Sequence, residues 1–389
     1  MQTTYDILAI IDVLLWTWLA FQLFAGLKKM TILNSEQRLI SEQELDPSLP
    51  SVSIIVAACN EEDAISTAVE SLMEQSYKNY EVIVVNDRST DNTGNILDSL
   101  KSRYSNLKIL NIKDLPSGWL GKNHALYSGA MQAHGDWLLF TDGDIIFSSS
   151  CLQQAVEYAL LKKLDHLTLI PRFTGKNLLS RAFASHLFLL IVAMGRPWRA
   201  SMPSTPEYVG LGAFNFLKRS TYMDIGTHKA ISLRPDDDAK LGKLVKKNGF
   251  KQEMAFGKEL IQIEWYQNLR QVIKGFEKNT GAISEYRPFL TILSYPFGFI
   301  MNIFPFVGLF SGNLFTRLSC LWVVLVIFAM YGVFSKYSAN PTWHAFLHPV
   351  EGLISIYASC IALFKTLKTG SVTWRGTEYP VETLKRNVV

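Results

Sequence analysis

Trp137-Leu138-Leu139-Phe140-Thr141-Asp142-Gly143-Asp144 is an apolar run that ends on two carboxylates separated by one glycine. A buried strand stopping on such a turn offers hard oxygen ligands at its end, the chemistry that grips a divalent cation and a diphosphate bound to it. An isolated Asp-x-Asp also occurs in ordinary surface turns, where the aspartate bonds nearby backbone. The neighbouring sequence decides between the two.

Upstream, strands and helices alternate. Ser51 to Ala58 reads as a buried strand, Glu62 to Gln75 as a helix, Glu81 to Asn86 as a second strand and Asp91 to Arg103 as a second helix. Leu107 to Asn111 is a short strand, Asn123 to His134 a helix, and Trp137 to Thr141 the strand that carries the acidic turn. Repeated strand-helix-strand units predict a mostly parallel sheet with helices on both faces. Ligands in such folds bind beyond the carboxyl ends of the strands. Those ends carry Asn60 and Glu61, then Asp87, Ser89 and Asp91, then Asp142 and Asp144. Ser89 and Asp91 are equally readable as helix N-caps, a role compatible with ligand contact. Asp87 lies at the strand end itself, where its carboxylate faces the ligand crevice.

The chain has 389 residues, 48% of them hydrophobic, and the apolar excess is concentrated at the two ends. Tyr5 to Gly26 is long enough to cross a bilayer and is followed by Lys28 and Lys29, which predicts a retained anchor over residues 1–30 with the following region in the cytoplasm. A polar linker is expected over 31–50, the catalytic domain over 51–287, membrane segments over 288–370 and a cytoplasmic tail over 371–389. Leu318 to Phe334 and Ala345 to Phe364 are each about long enough to span, whereas Pro288 to Gly312 is broken by prolines and glycines and reads as a third span or a re-entrant segment. Leu178 to Met194, flanked by Arg181, Arg196 and Arg199, is either an amphipathic helix on the membrane face or a buried core helix. Lys274, Lys278 and Arg287 extend a basic surface just before the C-terminal apolar block. Cys59, Cys151, Cys320 and Cys360 have neither metal-like nor disulfide-like spacing, which fits a reducing compartment. A net charge of +4 without a basic, aromatic-interleaved tract speaks against nucleic acid as a partner.

Five motifs follow one another in order: Ala57-Ala58-Cys59-Asn60-Glu61-Glu62, Val85-Asn86-Asp87-Arg88-Ser89-Thr90-Asp91, Gly118-Trp119-Leu120-Gly121-Lys122-Asn123, Phe140-Thr141-Asp142-Gly143-Asp144, and Pro235-Asp236-Asp237-Asp238-Ala239-Lys240-Leu241. Over roughly residues 50 to 285 this order resembles the family 2 glycosyltransferases of the GT-A fold, in the membrane-anchored branch that glycosylates carotenoid-, hopanoid- or ceramide-like lipids. Thr373-Trp374-Arg375-Gly376 resembles the tail of that branch. The resemblance implies an α/β, Rossmann-like catalytic domain with a mostly parallel sheet and N- and C-terminal transmembrane helices. It also implies a nucleotide-diphosphate sugar donor and a lipid acceptor, at a multi-pass site in the cell membrane with the catalytic domain cytoplasmic.

Roles carried over by the resemblance are these. Asn60 and Glu61 contact the nucleoside, and Asp87 accepts from a uracil imide if the donor is a uridine diphosphate sugar. Lys122, with the Gly121 backbone beside it, counters charge on the nucleotide or sugar, and Ser89 joins the donor contacts. Asp142 and Asp144 hold Mg2+ or Mn2+ against the two phosphates. Asp238, with Leu241 three residues on, aligns to the base that takes the acceptor's proton, and Asp237 stands where glutamate is common. Crowded carboxylates raise one another's pKa, which suits a base near neutrality, although acids at 236–238 also suit a helix N-terminus.

Two departures from the family pattern bear on function. The Gln-x-x-Arg-Trp motif of processive members appears as Gln267-Asn268-Leu269-Arg270-Gln271, without its aromatic platform. Transfer of one sugar is therefore favoured over a processive polysaccharide synthase, with Gln267 and Arg270 left as diphosphate contacts. The family's Gly-Gly-His appears as Gly226-Thr227-His228, which leaves His228 open between a ligand contact and a structural histidine. A non-catalytic nucleotide-sugar-binding membrane protein is the alternative of a different class, opposed by the intact Asp142, Asp144 and Asp238. A dinucleotide-binding dehydrogenase would need a Gly-x-Gly-x-x-Gly turn after the first strand, which residues 57–62 lack.

Overall fold

The computed structural model describes residues 2–34, 49–175, 177–265, 268–374 and 377–385. In chain order these form α1 (Gln2–Leu27), β1 (Val52–Ala58), α2 (Ile65–Met73), β2 (Tyr80–Asp87), α3 (Thr93–Arg103), β3 (Leu107–Ile112), α4 (Gly121–Met131), β4 (Trp137–Asp142) and β5 (Ile145–Phe147). There follow α5 (Cys151–Leu161), β6 (His166–Ile170), β7 (Arg172–Phe173), α6 (Leu178–Gly195), β8 (Asn215–Lys218), α7 (Arg219–Asp224), α8 (Asp237–Lys247), β9 (Gln252–Phe256) and β10 (Ile261–Ile263). The C-terminal part holds α9 (Leu269–Ile283), α10 (Pro288–Asn302), α11 (Phe304–Gly308), α12 (Leu314–Ser338), α13 (His348–Thr369), β11 (Ser371–Trp374), β12 (Thr377–Pro380) and α14 (Val381–Lys385).

Two compact units result. One comprises Met30–Arg172 and Pro197–Glu264, the other Met1–Lys29, Phe173–Arg196 and Trp265–Lys385. This division differs from the expected boundary at residue 287, because α6 packs with α1 and α13, and α9 with α13. Of the expected 31–50 linker, residues 35–48 lie outside the described residues, while Ile32 makes a parallel bridge to Phe256.

The α/β unit is built on a seven-stranded sheet ordered β3-β2-β1-β4-β8-β6-β9. Its first four strands are parallel in register, with Ala57 opposite Val85 and Asp142. Every residue of β1 is buried, as a central parallel strand covered by helices on both faces requires, and this explains its continuous Val-Ser-Ile-Ile-Val-Ala-Ala run. β8 enters antiparallel between β4 and β6, pairing Phe140 with Asn215 and Thr168 with Asn215. That reversal brings the segment before β8 to the carboxyl end of β4. It is what builds the site.

The helical unit contains α1, α6 and α9 to α14. Asp6 on α1 accepts from Asn313 and Thr316, both at 2.7 Å, and the Trp16 indole donates to the Met301 carbonyl at 3.0 Å. His186, Tyr331, His348 and Glu351 form a fully buried polar knot, with Tyr331 Oη 3.3 Å from Nδ1 of both histidines and from Glu351 Oε2. Burying such groups is tolerable only when they bond one another. α6 buries most of its length, including Phe183, His186, Phe188 and Leu189, so it is a core helix of this unit and not an amphipathic surface helix. Among the described residues, four helical stretches are long and apolar enough to cross a membrane: Thr3–Leu27, Leu178–Arg199, Leu314–Ser338 and Thr342–Thr369. α10 has 15 residues and Pro296 inside it, about 22 Å at 1.5 Å per residue, short of a bilayer core. The residues after α13 fold back as the β11–β12 hairpin and α14; Arg375, Gly376 and residues 386–389 lie outside the described residues.

Candidate active site

Three strand ends and one returning loop meet at the carboxyl edge of the sheet. After β1 and β2 the chain passes through left-handed conformations at Asn60 (φ 56°) and Arg88 (φ 56°). Asparagine adopts this region readily, whereas an arginine there is held by its surroundings. The two loops brace each other: the Asn60 N–H donates to Ser89 Oγ at 3.1 Å, Thr90 N–H to Asn60 Oδ1 at 2.7 Å, and Glu62 N–H to Asp91 Oδ2 at 3.1 Å. Asn60, Ser89 and Asp91 thus tie the β1 and β2 loops together. Asp87 is buried and gripped by Arg88 through two bonds of 2.8 and 3.0 Å. Gly121 lies against this pair so closely that a Cβ on it would come within 2.5 Å of Arg88 Nη2. The first turn of α4 therefore presses on the Asp87–Arg88 pair, and a side chain at 121 would have to displace it.

One residue further, Lys122 turns toward the acidic turn. Its ammonium lies 2.6 Å from Asp142 Oδ1 and 3.8 Å from Asp237 Oδ2. Burial disfavours the ammonium, but the charges of Asp142, Asp237 and Asp238 outweigh it and raise the Lys122 pKa above the ordinary lysine range. Gly143 packs near Glu61, with a Cβ there 3.5 Å from Glu61 Cγ. The β1 loop and the Asp142-Gly143-Asp144 turn are thereby adjacent.

The three aspartates opening α8 have separate partners. Arg234 holds Asp236 with two 2.8 Å bonds, and Lys240 stands 3.6 Å from it. Asp237 is buried and faces Lys122. Asp238 is half-buried; its Oδ2 accepts from the Gly212 N–H at 2.8 Å and its Oδ1 from the Ala239 N–H at 2.8 Å. The crowding expected from the sequence is thus divided between an arginine, a lysine and two backbone donors. Asp238 is fixed in aim and remains accessible.

Gly212 is the residue that sequence reading missed. A Cβ there would lie 2.8 Å from Asp142 Oδ2, 3.2 Å from Lys122 Nζ and 3.5 Å from Asp238 Oδ2, so these three groups surround one bare backbone position. Gly210 and Gly242 allow equally close passage of the 209–212 segment over α8, where a Cβ would overlap the Asp238 and Val209 carbonyl groups. The signal in the sequence was Gly210-Leu211-Gly212 directly before an apolar run.

His228 is buried, 2.8 Å from Tyr222 Oη and edge-on to Phe140 at 4.8 Å. Burial, with the Lys122 charge nearby, lowers its pKa to about 3, so it is a neutral structural histidine behind the site. The preceding Thr227 has φ 59°, a conformation that a β-branched residue rarely adopts. The altered Gly-Gly-His position thus keeps the backbone shape that a glycine would favour. Gln267 lies outside the described residues, and Arg270 is an exposed residue in the first turn of α9 in the helical unit. The large open hollow of about 510 Å3 around Asp136, Trp137 and Arg219 sits at the start of β4 and includes none of the site's acids.

The donor set can be tested against a divalent cation. Among the described residues no third His, Cys, Asp or Glu completes a closed cage around Asp142 and Asp144. Two hard carboxylates with open positions fit Mg2+ or Mn2+, which keep waters and take substrate phosphate oxygens, and they do not fit a closed structural site. The residues present suit that kind of ion.

A mostly parallel sheet with an inserted antiparallel strand and carboxylates gathered at its C-terminal edge is the GT-A arrangement. Residues 53–220 match the family model described as Glycosyl transferase family 2. It is 25% identical over 235 residues to the 4,4'-diaponeurosporenoate glycosyltransferase of Staphylococcus haemolyticus, covering 59% of this chain and 60% of that one. It is 37% identical over 117 residues to the beta-monoglucosyldiacylglycerol synthase of Nostoc sp., covering 30% of this chain and 25% of the other. The chain therefore spans between a quarter and three-fifths of these relatives' length. In fold it is similar to the mannosyltransferase PcManGT from Pyrobaculum calidifontis, solved with GDP-Man and Mn2+, with a TM-score of 0.55 at 15% identity over 94% of this chain and 99% of that chain.

Proposed function

We propose that this protein transfers a single sugar from a nucleoside diphosphate sugar to a hydroxyl or carboxyl of a membrane lipid, with inversion, at the cytoplasmic face. The observation that carries the reading is the convergence of Asp142, Lys122 and Asp238 around the bare backbone of Gly212. Asp238 takes the proton of a hydroxyl acceptor (a carboxylate acceptor arrives already ionised), the acceptor oxygen attacks the anomeric carbon, and the bond from that carbon to the diphosphate breaks with its electron pair leaving on the phosphate. One displacement with one base inverts the centre. Asp142 and Asp144 would hold a magnesium or manganese ion, which when bound neutralises charge on the departing diphosphate. Lys122 fixes the Asp142 carboxylate, and Arg88 fixes Asp87 for a base contact.

A lipid acceptor is supported by the long apolar helices and by relatives named as a 4,4'-diaponeurosporenoate glycosyltransferase and a beta-monoglucosyldiacylglycerol synthase. α6, though long enough to cross, is not a single crossing, since β6 before it and β8 after it pair side by side in one sheet. Crossings by α1, α12 and α13 then keep the α/β unit on the side of Lys28, Lys29, Arg317, Lys365 and Lys368, the cytoplasmic side by the positive-inside rule. The absence of tryptophan after Arg270 favours one transfer over chain synthesis.

The test is transfer by the full chain in vesicles, with Mn2+, a panel of labelled nucleotide sugars and extracted lipids. A lipid product bearing one sugar is expected, lost in both Asp238→Asn and Asp142→Asn with folding intact. No transfer from any donor, or full activity in Asp238→Asn, would sink the reading.

A further inference from the structure

The helical unit contains a cavity of about 250 Å3 that the transfer reaction does not use. Its walls come from the end of α9, the start of α10, the last turns of α13 and α14, and include Tyr286, Thr291, Leu363, Thr366, Leu367 and Lys385. At roughly 30 Å3 per water- or methylene-sized group it has room for on the order of eight of them, a length of acyl chain and not a whole lipid.

Two observations point to an occupant. The wall at the α9–α10 turn is strained: Glu285 (φ 49°) and Tyr286 (φ 57°) are consecutive non-glycine residues in the left-handed region. The turn folds back through a 2.7 Å bond from the Tyr286 N–H to the Gly281 carbonyl, and it lays the Tyr286 ring on Gly281, where a Cβ would be 2.6 Å away. Such strain persists where surrounding structure enforces it and is concentrated at ligand sites. The mouth is also amphiphilic. Leu367 is exposed, as are Phe364 one turn before it and Phe289, Leu290 and Leu293 at the start of α10. Exposed Arg287, Lys368 and Lys385 stand on or beside the lining positions against Glu285 and Glu382, the latter paired with Lys385 at 3.2 Å, so cations outnumber acids at the rim.

We propose that this cavity binds one acyl chain of a resident anionic phospholipid, whose headgroup lies on the Arg287, Lys368 and Lys385 rim. The inference rests on the membrane reading above, but it concerns a site separate from the chemistry. A lipid chain entering from the exposed apolar surface fills the space between α9, α10 and α13, and the rim cations answer a phosphodiester charge.

The experiment uses the full chain in vesicles containing phosphatidylglycerol with a photoreactive group on one acyl chain, labelled peptides being mapped by mass spectrometry without any sugar donor. Labelling within 281–291 and 362–370 is expected to exceed that on exposed α12 residues such as Leu321 and Leu325 by at least about fivefold. It should fall to the α12 level in Thr366→Trp, which fills the cavity, and in the less invasive Lys368→Glu/Lys385→Glu double variant. Equal labelling of cavity and α12 overturns the proposal, as does equal cavity labelling by the phosphatidylcholine analogue. Conversion of the bound analogue to a glycosylated product on donor addition would make it an acceptor, which also overturns a resident lipid. Because no donor is needed for labelling, this failure is distinct from failure of the transfer reading.

Discussion

Replacing Lys122 with methionine separates two roles for this lysine. The ammonium is 2.6 Å from Asp142 Oδ1 and 3.8 Å from Asp237 Oδ2, and it is the cation these two carboxylates share. Removing one partner of a buried pair costs about 3–5 kcal/mol, because the remaining charge is left uncompensated. Asp142 is one-third exposed and partly screened by water, which discounts the figure to about 2–4 kcal/mol. For a unit of this size, about 2–4 °C of Tm per kcal/mol gives a fall of roughly 5–15 °C. The loss also frees the Asp142 carboxylate to turn, and misplacement of a positioning group by about 1 Å lowers rate on the order of a hundredfold. Thermal unfolding of the full chain in detergent and donor-dependent transfer in vesicles measure both. A Lys122 that acts mainly on donor phosphates predicts the opposite pattern: unchanged Tm and a raised KM for the donor with kcat preserved. That outcome would refute the assignment of Lys122 to carboxylate positioning.

Gly212→Ala puts a Cβ 2.8 Å from Asp142 Oδ2 and 3.2 Å from Lys122 Nζ; it should cost about 1–3 kcal/mol of stability and lower transfer at least tenfold, read by Tm and initial rates. Acid should destabilise the α/β unit before its carboxylates titrate: burial lowers His228 to about 3 and His166 to about 4, from 6.5. The unfolded chain therefore binds more protons below pH 6.5, and stability falls as pH drops from there toward 4, by about 2 kcal/mol per histidine at pH 5. Glu81, lowered to about 2 by Lys108, Ser53 and the His134 N–H against the effect of burial, adds loss in the same direction below pH 4.5. A Tm slope between pH 6.5 and 4.5 that is as steep in His228→Asn as in the parent would contradict this account.

The parallel half of the fold was legible because its physics is local. β1, β2 and β4 are covered on both faces, so each appears as a continuous apolar run, and each run ends where the polar ligands begin. α6 illustrates the limit. Apart from Ser180, Arg181, Ser185 and His186 it is apolar, and periodicity does not distinguish a buried helix from a span or a membrane-surface segment. Pairing on either side of it excludes a single crossing, because β6 and β8 lie in the same sheet, and the burial of Phe183, His186, Phe188 and Leu189 excludes a surface helix. The polar knot of His186, Tyr331, His348 and Glu351 was equally invisible, since its members come from three helices and His186 lies 145 residues before Tyr331.

The acidic cluster shows the same division within the site. Arg234, two residues before Asp236, lies within local view, and the pair removes Asp236 from the candidate bases. Separating Asp237 from Asp238 needs Lys122 and Gly212, which only the sheet order brings to them. β8 has four residues and no periodic signature, yet its antiparallel entry beside β4 carries Gly212 to Asp142. A glycine there has no side chain to advertise a role, and its contribution is the space it leaves. That space is bounded by Asp142, Lys122 and Asp238, the groups on which the proposed transfer rests, so a residue with no chemistry of its own sets how closely they approach one another.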